Sequence, residues 1–167
     1  MTPYPTKLDR DAFVARFGAI YEHSAWVAEA VFDTTEVGVS AEGLAETMQA
    51  VVDAASTDVQ LELLRAHPDL AGRLALAALT AHSQAEQKGA GLDQCTADEL
   101  AEFQALNARY LERFGFPFIF AVRGYHRTDI LQAFRQRVEH DRETEFQTAL
   151  HQVHRIARLR LEALAHA

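Results

Sequence analysis

From position 96 the chain reads Thr-Ala-Asp-Glu and then sets Leu100, Phe103, Leu106, Tyr110 and Phe114 at helical spacing before Gly115. A Thr hydroxyl that accepts from the amide three residues on, answered by a Glu reaching back, is a capping box. A glycine just past the last apolar position suits a left-handed helix end. This is an amphipathic helix whose apolar stripe must be buried against other elements, so the chain has to supply further elements to cover it.

The same period recurs along the sequence. Asp9 to Tyr21 puts Phe13, Phe17 and Ile20 (or Tyr21) on one face. Ser24 is placed to cap a short helix through Trp26, Val27, Val31 and Phe32, and Ser40 one that turns Leu44, Met48, Val51 and Val52 inward. Thr57-Asp-Val-Gln60 reads as a second capping box, opening a helix with Leu61 and Leu64 that should stop before Pro68. Pro68 suits the first turn of the next helix, Asp69 to Leu79. Asp129 to His140 should turn Leu131, Phe134 and Val138 inward. The last helix, about Arg142 to Leu164, should bury Phe146, Leu150, Val153, Ile156 (or Ala157), Leu161 and Leu164. Alanine is abundant and β-branched runs are scarce, which favours helix throughout. The expected fold class is all-α: a single compact helical domain over residues 1–167, with about eight to nine helices and one short extended segment.

That segment is Phe116-Pro-Phe-Ile-Phe-Ala-Val122. It is aromatic, contains a proline and has no helical period. In a helical protein its amides and carbonyls have no sheet to pair with, so they need side chains, water or a polar ligand. As a buried connector it needs no ligand, and composition alone favours that plainer reading.

Composition narrows the function classes. A formal charge of −8 argues against nucleic acid or anionic lipid as a partner, since either requires a concentrated basic face. An anionic small substrate remains open, because one arginine inside a pocket outweighs a diffuse negative surface. The single cysteine, Cys95, rules out an intrachain disulfide and a paired-cysteine metal site. No apolar leader follows Met1 and no apolar run approaches a membrane span, so the expected location is the cytoplasm.

Two local patterns offer chemistry. His67 precedes Pro68 and is therefore biased out of the helical region, which frees its side chain at a helix boundary. A helix beginning at Pro68 would favour the neutral imidazole, a form able to accept a proton. An isolated His-Pro is nonetheless more often an indifferent surface cap. In Ser83-Gln-Ala-Glu-Gln87, helical spacing brings Ser83, Glu86 and Gln87 to one face, although Ser-x-x-Glu is also a plain capping box. Arg158 and Arg160 lie two apart on the last helix, so at most one faces a common pocket; both could equally be solvated. Arg123 is a further anion partner that nothing singles out. His82 with Glu86, and His151 with His154, have ligand-like spacing, but no His-Glu-x-x-His pattern or carboxylate cluster supports a metal. No phosphate loop, nucleophile elbow or dinucleotide fingerprint is present, which leaves acid–base work on a substrate carrying its own electron sink.

Several separated stretches, in order, resemble the 2-oxo-4-hydroxy-4-carboxy-5-ureidoimidazoline (OHCU) decarboxylases. They are His67-Pro-Asp-Leu-Ala-Gly72, Ser83-Gln-Ala-Glu-Gln-Lys-Gly-Ala-Gly-Leu92, Leu106-Asn-Ala-Arg-Tyr110 leading into Phe114 to Gly124, and Ile156-Ala-Arg-Leu-Arg-Leu161. Glu22-His-Ser-Ala-Trp26 is similar to the family's early motif, except that Ala25 stands where a proline is usual, a structural departure that leaves the chemistry untouched.

The resemblance implies an all-helical, usually dimeric enzyme that uses neither metal nor organic cofactor and completes the conversion of urate to S-allantoin. It assigns His67 and Glu86 to catalysis. Pro68, Ser83, Gln84, Ala85, Gln87 and the backbone of Phe118, Ile119, Phe120, Ala121 and Val122 would line the small-molecule substrate. Arg160, rather than Arg158, matches the family's arginine on the last helix. The implied partners are that substrate and a second copy of the chain, with no nucleic acid and no membrane. The rival from another class is a catalytically silent helical scaffold that keeps the shape, with Ser83 and Glu86 serving as a cap. A metal-dependent hydrolase using His67, His82 and Glu86 is a weaker rival.

Overall fold

The computed structural model describes residues 8–34, 41–68 and 96–165. Within them the secondary structure is entirely helical: α1 (Arg10–Phe17), α2 (Trp26–Thr34), α3 (Ala41–Ala54), α4 (Thr57–Ala66), α5 (Ala97–Phe114), α6 (Arg127–Arg137) and α7 (Arg142–Ala165). The all-α expectation holds, with seven helices among the described residues against the eight to nine expected. The helix expected from Asp69 to Leu79 and the Ser83–Gln87 group lie outside the described residues. The chain forms two compact units, Met1–His67 with Val153–Ala167, and Pro68–Gln152.

In the first unit Asp9 caps α1 by accepting from the Ala12 amide. The helix is shorter than its apolar period suggested. Gly18, a poor helix former, follows Phe17, and the chain goes over into turns in which Ile20 N–H meets the Phe17 carbonyl and Ser24 N–H the Tyr21 carbonyl. Ile20 and Tyr21 are still buried, reached through those turns and not along the helix face. Ser24 does not cap α2 with its side chain; its hydroxyl donates to the Glu22 carbonyl at 3.1 Å. On α3, Leu44, Met48 and Val52 are buried, whereas Val51 is half-buried. α4 is capped one residue before the expected box, because the Ser56 hydroxyl accepts from Val59 N–H, and Gln60 instead donates to the Val52 carbonyl at 3.0 Å. α4 stops at Ala66, where Pro68 forces His67 into an extended conformation, φ −73° and ψ 136°. From α7 this unit takes Val153, Ile156, Ala157 and Leu161 as core residues, while Leu164 is only half-buried.

In the second unit the Thr96–Glu99 capping box is present in both directions and Gly115 closes α5 in the left-handed conformation, φ 76°. Phe103, Tyr110 and Phe114 are buried as their spacing required, with Leu100 and Leu106 half-buried at the edges of the stripe. α6 starts two residues before Asp129, because His126 serves as its cap and Asp129 answers as the third residue of a box. It ends at Arg137, with Val138 as its C-cap.

The Phe116–Val122 stretch is irregular and, apart from half-buried Phe120, buried throughout. Its core is aromatic: Phe118 stacks on Phe134 with ring centroids 3.8 Å apart, and Tyr110 meets Phe118 edge-on at 5.5 Å. The Ile119 carbonyl accepts from Arg137 at 2.6 Å and the Ala121 amide donates to Gln152 at 2.9 Å. At these two groups side chains supply the partners that a sheet would otherwise provide.

Candidate active site

The first unit gathers His67, Glu22, His23 and Arg160. His67 is put there by the pre-proline break at the end of α4, and it is half-buried. Arg160 comes from α7 and is only 2% exposed, while Arg158, two positions away, is half-buried. Of the two arginines, of which at most one was expected to face a common pocket, Arg160 is the buried one.

Glu22, also 2% exposed, faces Arg160 from the turn after α1. Arg160 Nη1 lies 2.9 Å from Glu22 Oε2 and donates to the Ile20 carbonyl at 3.2 Å. Between those two residues Tyr21 sends its hydroxyl to His154 Nδ1 at 2.8 Å, and His154 Nε2 lies 3.0 Å from Asp53 Oδ1. A carboxylate only accepts, so Nε2 carries a proton, and in the neutral ring Nδ1 accepts from Tyr21. Burial, reinforced by the Asp53 charge, pushes the Tyr21 phenol well above its ordinary value, so it stays protonated and donates. Three consecutive residues, Ile20, Tyr21 and Glu22, are thus tied to α7. The next residue, His23, is exposed and takes a positive φ of 53°, which a non-glycine side chain adopts at some cost.

The His67 imidazole is held neutral. Its withdrawal from water is the first cause, and the positive charge of Arg160 the second; Glu22 opposes them and His23 adds to them, leaving a pKa of about 3 against an ordinary 6.5. The direction is the one expected from the sequence, while the helix expected to cause it lies outside the described residues. A neutral imidazole beside a buried guanidinium can accept a proton from a substrate whose negative charge the guanidinium holds.

Other candidate residues are placed differently. Pro68 is half-buried at the start of the second unit. Phe118, Ile119, Phe120, Ala121 and Val122 belong to that unit's irregular segment. Ser83, Gln84, Ala85, Glu86 and Gln87 lie outside the described residues, as do His82 and Cys95. Among the described residues no group of three His, Cys, Asp or Glu side chains is arranged to hold a metal ion. None of the described helices is long and apolar enough to cross a membrane.

Sequence reasoning gave Glu22 no role of its own, naming it only inside a motif. It also passed over the second unit's buried ionic cluster, in which Glu145 accepts from Arg137 Nε at 3.0 Å and from the Tyr110 hydroxyl and lies 3.1 Å from His140 Nδ1. An acidic residue such as Glu145, inside an otherwise charged first helical turn, carries no local sign of burial.

Comparison with known proteins bears on the whole chain. The family model described as OHCU decarboxylase matches residues 6–162. A 2-oxo-4-hydroxy-4-carboxy-5-ureidoimidazoline decarboxylase of Haloferax volcanii is 47% identical over 155 residues, covering 93% of this chain and 90% of that protein. A crystal structure of (S)-allantoin synthase superposes with a TM-score of 0.72 at 38% identity, covering 93% of this chain and 50% of that one, so this chain spans half of its length. The fold is shared as well with an OHCU decarboxylase crystallised in the presence of (S)-allantoin, at a TM-score of 0.72 and 22% identity over 89% of this chain and 96% of that one.

Proposed function

The chain belongs to the OHCU decarboxylase family, and we propose that it removes CO2 from OHCU to give (S)-allantoin, with His67 as the proton-transferring residue. The observation that carries the assignment to His67 is its place at the pre-proline end of α4, in the unit that also buries the Arg160–Glu22 pair.

The substrate supplies its own electron sink. Its departing carboxylate and a hydroxyl share one ring carbon, next to a C=N carbon bearing the ureido group. When the carbon–carboxylate bond breaks, its electron pair forms a ring C=C and the C=N pair moves onto nitrogen, which takes up a proton. The hydroxyl then gives up its proton, its carbon becomes a carbonyl, and the C=C pair takes a proton at the ureido-bearing carbon. One proton is consumed overall and CO2 leaves. Protonation on one face alone gives a single enantiomer.

His67 accepts the hydroxyl proton, oriented and charge-balanced by Glu86. Arg160 holds an anionic or carbonyl oxygen. Pro68, Ser83, Gln84, Ala85, Gln87 and the backbone of Phe118, Ile119, Phe120, Ala121 and Val122 contact the ring and ureido groups, a role drawn from the family resemblance. Positioned acid–base help of this kind contributes roughly 10²–10⁴-fold, and orientation of the scissile bond supplies much of the remainder. The same reading makes the chain one functional domain, cytoplasmic and homodimeric; the family match running through residues 6–162 supports the first of these, and light scattering in solution tests the last.

The test of the activity is optical. Substrate generated fresh from urate by urate oxidase and hydroxyisourate hydrolase is mixed with the protein, and absorbance and optical rotation are followed together. Rapid formation of optically active allantoin is expected; decay at the spontaneous rate to racemic product refutes the proposal. Glu86→Gln keeps the side-chain shape and removes the charge, so a large drop in turnover is expected. Normal turnover with lost stability would make Glu86 a capping residue instead.

A further inference from the structure

We propose that Glu22 is a positioning residue for the decarboxylation: it holds the Arg160 guanidinium and sets the charge under which His67 takes a proton. The inference rests on the catalytic reading of His67 given above.

Three features of the first unit support it. A buried ion pair is a poor stabiliser, because desolvating two charges offsets most of their attraction, so Glu22 and Arg160 call for a reason besides fold. Their side chains are 0% and 2% exposed and 2.9 Å apart. The carboxylate is also placed with care: Ile20 accepts from the same Nη1 that meets Glu22, and Tyr21 is anchored to His154. A segment tied at three successive residues holds its carboxylate at a fixed place, as a site built to set charge requires.

The third feature is the set of charges acting on His67. Among the described residues these are Arg160 and His23, which disfavour the protonated ring, and Glu22, which favours it. Glu22 is the described group that keeps the imidazole from becoming too weak a base. With Gln at position 22, Arg160 keeps a hydrogen-bond acceptor of the same shape but loses its countercharge, and the imidazole meets the full positive charge. Proton transfer to His67 is then harder, while substrate binding through Arg160 suffers less.

The experiment compares Glu22→Gln, Glu22→Asp and His67→Ala with the parent chain, measuring kcat, KM, the acid side of the kcat/KM profile and the melting temperature of each. Glu22→Gln is expected to lose about ten- to a hundredfold in kcat, less than the roughly 10²–10⁴-fold of acid–base help because His67 itself is kept, with KM changing less. The acid limb should move to lower pH. Glu22→Asp restores the charge and should recover to within about tenfold of the parent. Parent-like kcat and acid limb in Glu22→Gln overturn the inference. So does an equal loss in the Gln and Asp variants that follows their melting temperatures, since that is a purely structural role. Inactive His67→Ala beside an unaffected Glu22→Gln defeats this inference alone, whereas an active His67→Ala defeats the catalytic reading on which it rests.

Discussion

Arg137 holds Glu145 along an edge, with Nε 3.0 Å from Oε1 and Nη2 3.0 Å from Oε2, and both side chains are buried. The third nitrogen, Nη1, donates to the Ile119 carbonyl, and the guanidinium lies 4.4 Å from the Phe118 ring centroid. One arginine therefore joins the irregular Phe116–Val122 segment to the start of α7 by charge, hydrogen bond and ring contact. Lysine, a point charge without the planar fork, does not reproduce the set.

Arg137→Met should destabilise the protein by about 3–5 kcal/mol, because it leaves the Glu145 carboxylate buried without its main countercharge. Urea melts at neutral pH measure this. A change within about 0.5 kcal/mol, the range of an ordinary surface substitution, would show that the cluster contributes little.

Gln152 supports the same segment by accepting from the buried Ala121 amide. Gln152→Leu removes the acceptor and leaves that amide without this partner, at a cost of about 1–3 kcal/mol. Hydrogen exchange should show the loss of protection at Ala121 directly.

Thr96→Ala should cost about 1 kcal/mol by removing one half of the capping box at the start of α5. For a chain of this size that is a fall in Tm of about 2–4 °C, read by circular dichroism. The Glu99 carboxyl is held below its ordinary value first by the Thr96 amide and then by Arg127, and both survive the change, whereas the smaller contribution of the Thr96 hydroxyl is lost.

Stability should also depend on His67. Its pKa is about 3 in the folded chain against an ordinary 6.5, so between those values the unfolded chain binds the extra proton and acid favours unfolding. The loss is up to about 1.4 kcal/mol per pH unit from this group, and it vanishes above about pH 6.5. His67→Ala should therefore lose less stability than the parent between about pH 6.5 and pH 4 in urea melts. Equal losses would mean that the imidazole is not held neutral.

These sites differ in how far the sequence reveals them. The α5 box and its apolar positions were legible because cap and stripe are local patterns, set within one or two turns. The end of α1 was not, since Ile20 and Tyr21 stay apolar and buried after the helix has turned into a loop. Burial constrains which residues are apolar more strongly than it constrains the backbone that carries them. The start of α4 slipped by one residue because Ser56 and Thr57 are both competent caps and only tertiary placement separates them. His67 and Arg160 could be singled out only through the family motifs, because a His-Pro boundary and two arginines on an apolar helix each fit a plain surface role equally well. Glu22 as the partner of Arg160 could not, because the pairing joins residues 138 positions apart and leaves no periodic trace.

The catalytic role of His67 is tested most directly by His67→Ala, assayed for the rate of optically active allantoin formation alongside its melting curve. The account predicts turnover reduced to the spontaneous rate, with helical content and neutral-pH melting temperature close to those of the parent. Near-parent turnover by a folded His67→Ala protein would contradict it.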